Sequence, residues 1–362
     1  MTSAEATGTA PAAADDAPPP TFRHLVRLTD DAGLLEHARH ATPRREHGYC
    51  TDDVARGLVV TSRAGRSPDA VRLSECYLAF LTHAQDRNGA FHNRLGFHRA
   101  WTDRPGLGDW WGRALWGLGT AAARNPAPWI RAEAGLAFAR GAARRSGAPR
   151  AMAFAALGAA ELLRADPGDE VAAALLSDAA TAIGQPAPDP DWCWPDEGLT
   201  YANAVLAEAV IAAGDLLGEP ATLAAGLRML RWLLDLQTTG GHLSVVPSTG
   251  WRHGGPRPRH DQQPIEVATL ADACATAAAV TGDDVWRWGL QRCIDWFLGD
   301  NDAHAVMWNE ATGGGYDGLT RHGPNLNQGA ESTLALIATL QHRHTLSPAP
   351  PAGGGTGAVR AA

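Results

Sequence analysis

The sequence contains no lysine at all. Every fixed positive charge is therefore an arginine, and chemistries that rest on a lysine amine are excluded: Schiff-base and pyridoxal catalysis, and phosphate loops ending in Gly-Lys-Ser/Thr. Cysteine is scarce, and the five present (Cys50, Cys76, Cys193, Cys274, Cys293) form no Cys-x-x-Cys pair. An odd, scattered set argues against a disulfide framework or a cysteine-rich zinc module. No apolar run approaches the roughly 18 residues of a spanning helix, so no membrane partner is expected. The start lacks the basic and apolar stretches of a secretory signal, and no Asn-x-Ser/Thr sequon occurs, which makes the cytoplasm the expected location. The balance of 31 basic against 39 acidic residues, net −8, argues against nucleic acid or an anionic surface as partner.

What remains is a chain of 362 residues, 45% apolar and 19% charged, able to bury a sizeable core within one large domain. Residues 1–20 and 347–362, rich in Ala, Pro and Gly, read as disordered tails around one domain over 21–346. Short Pro- or Gly-marked turns recur at 65–68, 125–126, 166–167, 218–220 and 281–283, each ending one helical pattern and capping the next. The other connections are mostly long: 86–108, 184–199, 238–262 and 299–327.

Pairing the segments gives six couples. The first members lie near 29–41, 69–85, 127–145, 168–183, 220–237 and 283–298, the second near 52–64, 109–123, 149–164, 200–217, 264–280 and 328–342. The second set is richer in Ala, Gly and Leu and suits helices packed on most sides. Their starts recur at intervals of roughly 40 to 65 residues, which fits helical hairpins better than a βαβ alternation. The expected fold is all-α: six helical hairpins in a toroid, an (α/α)6 barrel. The long loops then enter the N-termini of inner helices on one face, where function is expected.

The inner-helix starts carry the chemistry. Five of the six hold a carboxylate: Asp52 and Asp53, Asp109, Asp196 (with Glu197), Glu266 and Glu331; the sixth, at Arg150, does not. Converging carboxylates and aromatic plates suit glycoside chemistry, in which one carboxylic acid protonates the leaving oxygen and a second carboxylate activates water or attacks the anomeric carbon. Asp53, Asp109, Asp196, Glu266 and Glu331 are the candidate catalytic groups. Asp52 and Asp53 would compete if both were buried, so one is expected to cap the helix and Asp53 to face the cavity. Arg56 and Arg113 follow their aspartates at same-face spacing and can orient them. Trp110, Trp111, Trp192 and Trp194 are expected as sugar platforms, with Tyr201, Gln262, Gln263, Asp317, Asn327 and Gln328 as hydroxyl partners. Trp116, Trp232, Trp286, Trp288 and Trp296 fall inside helices and read as core filler. No His-Glu-x-x-His spacing occurs, and neither a metal nor a cofactor is expected.

Through its six hairpins, its one-sided loops and the segments GDWWGRALW (108–116) and QPIE (263–266), the chain resembles the six-hairpin glycosidase superfamily over about residues 22–345. The stretches HGYCTDDVARGL (47–58) and NLNQGAESTL (325–334) also look like helical proteins found near, and sometimes labelled as, bacterial glycosyltransferases. The resemblance implies carbohydrate metabolism and an oligosaccharide or glycoside substrate, and it transfers no catalytic pair. Glycoside hydrolysis is the leading expectation. A sugar epimerase or phosphorylase stands beside it, and because some helical-barrel epimerases use histidines, His47 and His260 stay open as acid/base groups. So does a non-catalytic sugar-binding or scaffold protein linked to glycosyltransferases. An isoprenoid cyclase is a weaker rival, since Asp52-Asp53-Val54-Ala55-Arg56 ends a magnesium-type motif in arginine.

Overall fold

A computed structural model describes residues 17–346; residues 1–16 and 347–362, most of the two segments expected as tails, lie outside the described residues. Ala17 is buried, and Arg343 donates to its carbonyl oxygen at 3.1 Å, tying the described start to the end of the helical body.

The helices run in chain order α1 (Arg23–Leu28), α2 (Thr51–Arg63), α3 (Pro68–Ala84), α4 (Asp109–Arg124), α5 (Pro128–Ala142), α6 (Pro149–Ala165) and α7 (Glu170–Ile183). They continue with α8 (Ala204–Leu216), α9 (Pro220–Leu236), α10 (Pro264–Thr281), α11 (Asp284–Leu298), α12 (Ala330–Gln341) and α13 (Arg343–Leu346). The even-numbered helices from α2 to α12 pack each on the next, and α12 returns to α2, so the inner ring closes. Helices α3, α5, α7, α9 and α11 each cover the inner helix before them, while α1 and α13 lie against α12. This is the expected (α/α)6 toroid. Proline sits in the first turn of α3, α5, α6, α9 and α10, where its missing N–H costs no helical bond.

Inner helices must be apolar on nearly every side. In α8 all residues from Ala204 to Gly214 are buried, which the run AVLAEAVIAAG permits. Helices α4 and α6 approach backbone to backbone: a Cβ at Gly119 would sit 2.3 Å from the Gly158 carbonyl oxygen, and one at Gly158 would sit 2.2 Å from that of Leu115. Only glycine fits that crossing.

The expected first outer helix near 29–41 is absent. The Asp30 carboxylate accepts from the amides of Ala32 and Gly33 at 2.8 and 3.2 Å, folding a turn in place of a helix. Leu34 and Leu35 are then buried in extended backbone, bridging Thr29 and Tyr49, and Ala38–Arg39 pairs with Thr42–Pro43 as a hairpin. Two adjacent leucines with Ala38 imitate a helical stripe in sequence.

Long loops occupy one face, with one exception: α5 reaches α6 through residues 143–148. They are stitched by two-stranded pairs, among them Tyr49–Cys50 with Arg94–Leu95 and Gly198–Leu199 with Trp251–Arg252. Among the described residues no helix is long and apolar enough to cross a membrane, and all five cysteines are free.

Candidate active site

On the long-loop face the inner-helix N-termini frame a cavity of about 300 Å3. Asp52, Asp53 and Arg56 enter it from α2, Arg113 from α4, Gln263 from the residue capping α10, and Glu331 from the first turn of α12. Glu36, Arg94 and Asp317 close the loop side. A larger cleft of about 610 Å3 lies outside the ring between α3 and the 29–32 turn, but no orphaned buried polar atom lines it among the described residues.

Arginine organises the α2 side. The Arg56 guanidinium donates from Nη2 to Asp53 Oδ1 at 2.6 Å and to Glu331 Oε2 at 3.1 Å, spanning the seam where α12 closes on α2. Asp53 is only 3% exposed, and burial pushes its carboxyl up to about 7 even against the pull of Arg56. Cys50 caps α2 without a side-chain bond, so neither aspartate is consumed as a cap and both face the cavity, contrary to the expected division between them.

A second group sits toward α4, α6, α8 and α10. The Arg113 guanidinium lies over the Phe154 ring at 4.5 Å and the Tyr201 ring at 5.6 Å, and Arg150 covers the Tyr201 ring at 4.8 Å. Glu266 does not close a capping box on its own helix. It crosses to α8, where Asn203 donates from Nδ2 to Oε2 at 2.9 Å, and burial pushes Glu266 up to about 7. Asp109 is likewise raised by burial, opposed by Arg113 and Arg150. Asp52 Oδ1 stands 3.3 Å from Arg113 Nη1, an ion-pair distance without hydrogen-bond geometry.

The group has one common property. Asp52 Oδ1, Arg113 Nε and Nη2, Arg150 Nε and Glu266 Oε1 are all buried with no hydrogen-bond partner among the described residues. Buried polar atoms are normally satisfied, since leaving one unmade costs about 1–3 kcal/mol. Donors and acceptors clustered without partners are complementary to a ligand that both gives and accepts hydrogen bonds, as sugar hydroxyls do.

Other expected site residues are placed elsewhere. Trp111 and Trp194 are wholly buried and Trp192 nearly so; the indole N–H of Trp111 donates to Gly141 and that of Trp192 to Asp196, both on backbone oxygens. Trp192 packs edge-on against Trp232 and Trp251 and stacks on His253, forming the private core of the loops before α8 and α10. Trp110 donates to the Phe91 carbonyl oxygen at 2.7 Å, pinning the loop before α4. None of the four lines the cavity, so the expected sugar platforms there are corrected: loops of this length need apolar anchors of their own. Among the helical tryptophans expected as core, Trp288 is exposed.

Gln262 is fully buried, donating to Asp302 and Arg259 and accepting from Trp296, which makes it a loop strut. Gln328 is buried against Thr312, and Asn327 accepts from the His40 amide. Asp317 lines the cavity, with Oδ1 bonded to the Gly329 amide and the Ser332 hydroxyl, both at 2.7 Å. Asp196 is exposed on the rim, its Oδ1 accepting from the Glu197 amide. Tyr201 supports the two arginines. His47 is exposed, whereas His260 keeps a buried Nδ1 without a partner among the described residues.

Sequence reasoning passed over Asn203 and Arg150. Arg150 stands at the one inner-helix start that carries no carboxylate, and its guanidinium joins the group by lying over the Tyr201 ring. Glu36, Cys50 and Asp53 place ligand atoms within 4.8 Å of one another. Arg94 already pairs with Glu36 and Arg56 with Asp53, and burial pushes the Cys50 thiol well up, so the charge a cation would supply is supplied by guanidinium.

No protein-family model matches the chain, and no curated protein matches it by sequence. Solved structures do. A sugar epimerase from a ruminal bacterium superposes with a TM-score of 0.68 at 13% identity, covering 90% of this chain and 96% of that one. Cellobiose 2-epimerase from Spirochaeta thermophila gives 0.64 at 15% identity, over 89% and 93% of the two chains. An α-1,6-mannanase from Salegentibacter, in an inactive variant changed at two adjacent aspartates and bound to α-1,6-mannotriose, gives 0.61 at 12% identity over 90% and 97%. At these identities the likeness is one of fold alone, the (α/α)6 toroid. None of the three is a glycosyltransferase, and the expected link to that class finds no support.

Proposed function

We propose that this chain is a carbohydrate-active enzyme that moves protons on a sugar, an epimerase or isomerase whose acid and base are the buried carboxyl groups Glu266 and Asp53. The observation that carries this reading is the presence, at the starts of two inner helices, of buried carboxyls both raised to about 7, with Arg113, whose donors are unspent, lining the cavity beside Asp53. A group that titrates near neutrality both accepts and returns a proton at working pH. Removing a proton beside a sugar carbonyl builds negative charge on the carbonyl oxygen, and the Arg113 Nε and Nη2 donors suit that oxygen. Glycoside cleavage builds positive charge at the anomeric carbon, which a buried guanidinium opposes. The sugar epimerases that share this fold agree with this direction.

Glycoside hydrolysis is the second reading. What favours it is the Asp52–Asp53 pair: an acid raised to about 7 beside a carboxylate held near Arg113, together with the adjacent aspartates whose exchange inactivates the mannanase. One experiment separates them. The purified chain is incubated with mono- and disaccharides in deuterated water, and the products are followed by NMR. Deuterium at the carbon beside the carbonyl, with a changed sugar and no new reducing ends, supports proton transfer. New reducing ends without deuterium at carbon overturn it in favour of hydrolysis, and saturable binding without turnover overturns both in favour of a sugar-binding protein.

A further inference from the structure

The bore of the toroid has a second mouth. At the C-terminal ends of the inner helices lies a cavity of about 560 Å3. Between it and the sugar cavity, Val59, Trp116, Phe154, Ile265 and Leu334 surround only about 30 Å3 of free space, bounded by Arg56 above and Asp272 below. That is room for about one water, too little for a sugar to pass between the two mouths.

Three buried carboxylates face the far cavity, and two are compensated. Glu161 on α6 accepts from Arg124 Nε at 2.5 Å. Asp272 on α10 accepts from Arg63 Nη1 at 3.0 Å and pairs with His342 Nε2 at 2.5 Å; burial works to raise its carboxyl, but these two partners hold it below the usual range. Glu208 on α8 is different. It is 6% exposed, its Oε1 accepts from the Thr276 hydroxyl at 2.8 Å, and its Oε2 is buried with no partner among the described residues. A second acceptor shares this state: Gln341 Oε1 on α12, lining the same cavity, is buried and unpartnered while its Nε2 donates to the Val60 carbonyl oxygen at 2.7 Å.

Two residues of the lining, on different helices, thus each carry an orphaned acceptor with no donor committed to it among the described residues. We propose that the far mouth is a second ligand site, distinct from the sugar cavity, which takes a small ligand presenting a primary ammonium group to Glu208 Oε2 and Gln341 Oε1. An ammonium carries three donors and the charge that balances an ionised Glu208, whereas a hydroxyl carries one donor and no charge. An anion would meet Glu208, Asp272 and the rim carboxylate Asp215, while Arg63 and Arg124 are already engaged and Arg164, the remaining arginine of the lining, is exposed to solvent.

Binding displaces the Glu208 proton. The groups facing that carboxyl are Asp272 on α10, Arg63 on α2, Glu161 and Arg164 on α6, Asp215 on α8 and His342 beyond α12. Burial, reinforced by Asp272, raises Glu208 to about 8, so below that pH the ligand competes with a proton. Affinity should rise close to tenfold per pH unit up to about pH 8 and level off above it.

The probe is 1,4-diaminobutane, a cation throughout this range, titrated calorimetrically into the full chain in buffers of different ionisation heat. The expected result is one site per chain, uptake by buffer of about one proton per ligand at pH 7, at least tenfold weaker binding in Glu208→Gln, and unchanged binding in Asp53→Asn. Circular dichroism and melting check that Glu208→Gln is folded; the proton release is read on the unchanged chain and needs no variant. No saturable binding, equal binding of glycerol, stronger binding of inorganic phosphate, or full binding by a folded Glu208→Gln would each overturn the proposal.

Discussion

Glu266 shows what a single side chain does in this ring. Its Oε2 holds Asn203, the cap of the neighbouring helix α8, and its buried Oε1 has no partner among the described residues, so one oxygen fixes the carboxyl in place while the other is uncommitted. Glutamine reproduces the neutral acid and still accepts from Asn203. Glu266→Gln should therefore lower turnover roughly a hundred- to ten-thousand-fold while melting near the parent's temperature at about pH 5, where the parent carboxyl is protonated. Equal loss of stability at every pH would make Glu266 a strut. Arg113→Met tests the oxygen donor: kcat should fall roughly a hundred- to thousandfold with a smaller change in KM. A rise in KM alone would assign Arg113 to binding.

The same scale shows what sequence could and could not supply. Asp53 and Arg56 line the cavity together because both project from the start of α2 at same-face spacing, a pattern visible in sequence. Asn203 and Arg150 were not visible there, because their roles come from neighbours far along the chain: Glu266 for Asn203, and the Tyr201 ring for Arg150. The loop tryptophans misled for a related reason. An indole beside a helix start looks alike in sequence whether it faces a ligand or, like Trp192, packs on Trp232, Trp251 and His253.

At the scale of elements, the ring was readable wherever proline and glycine punctuated it, which covers the hairpins from α2 onward. The segment near 29–41 failed because side-chain capping by Asp30 overrides an apolar spacing that suits helix equally well. Element packing also predicts which glycines matter. Gly158→Ala pushes a methyl into the Leu115 carbonyl oxygen and should destabilise by about 1–3 kcal/mol. Gly135 on α5 meets nothing nearer than the Ala122 methyl at 3.9 Å, so Gly135→Ala should stabilise by about 0.5–1 kcal/mol through helix propensity. Urea unfolding of both variants checks the pair; similar effects from the two would mean that the α4–α6 crossing yields more readily than its backbone contacts imply.

The whole molecule carries an electrostatic cost along its axis. Asp53 and Glu266 at one mouth are raised by burial to about 7, and Glu208 at the other to about 8. A carboxyl whose folded value lies above its unfolded one binds its proton more tightly in the folded chain. Its contribution to stability is thus full below about pH 4 and is lost as pH rises through 7 to 8. Asp272 and Asp302 act in the opposite sense: although burial opposes it, their partners hold them low, and their contribution is present above about pH 4 and lost below it. The two sets together place the stability maximum near pH 4, with a fall on the order of several kcal/mol by pH 9. Urea unfolding at about pH 5, 7 and 9 measures that fall, and the double variant Glu208→Gln with Glu266→Gln should flatten most of it, since glutamine never ionises. Stability that rose from pH 5 to 9, or a double variant as pH-sensitive as the parent, would mean that water reaches these carboxyls through the bore. Both mouths would then lose the buried acids on which their chemistry is argued.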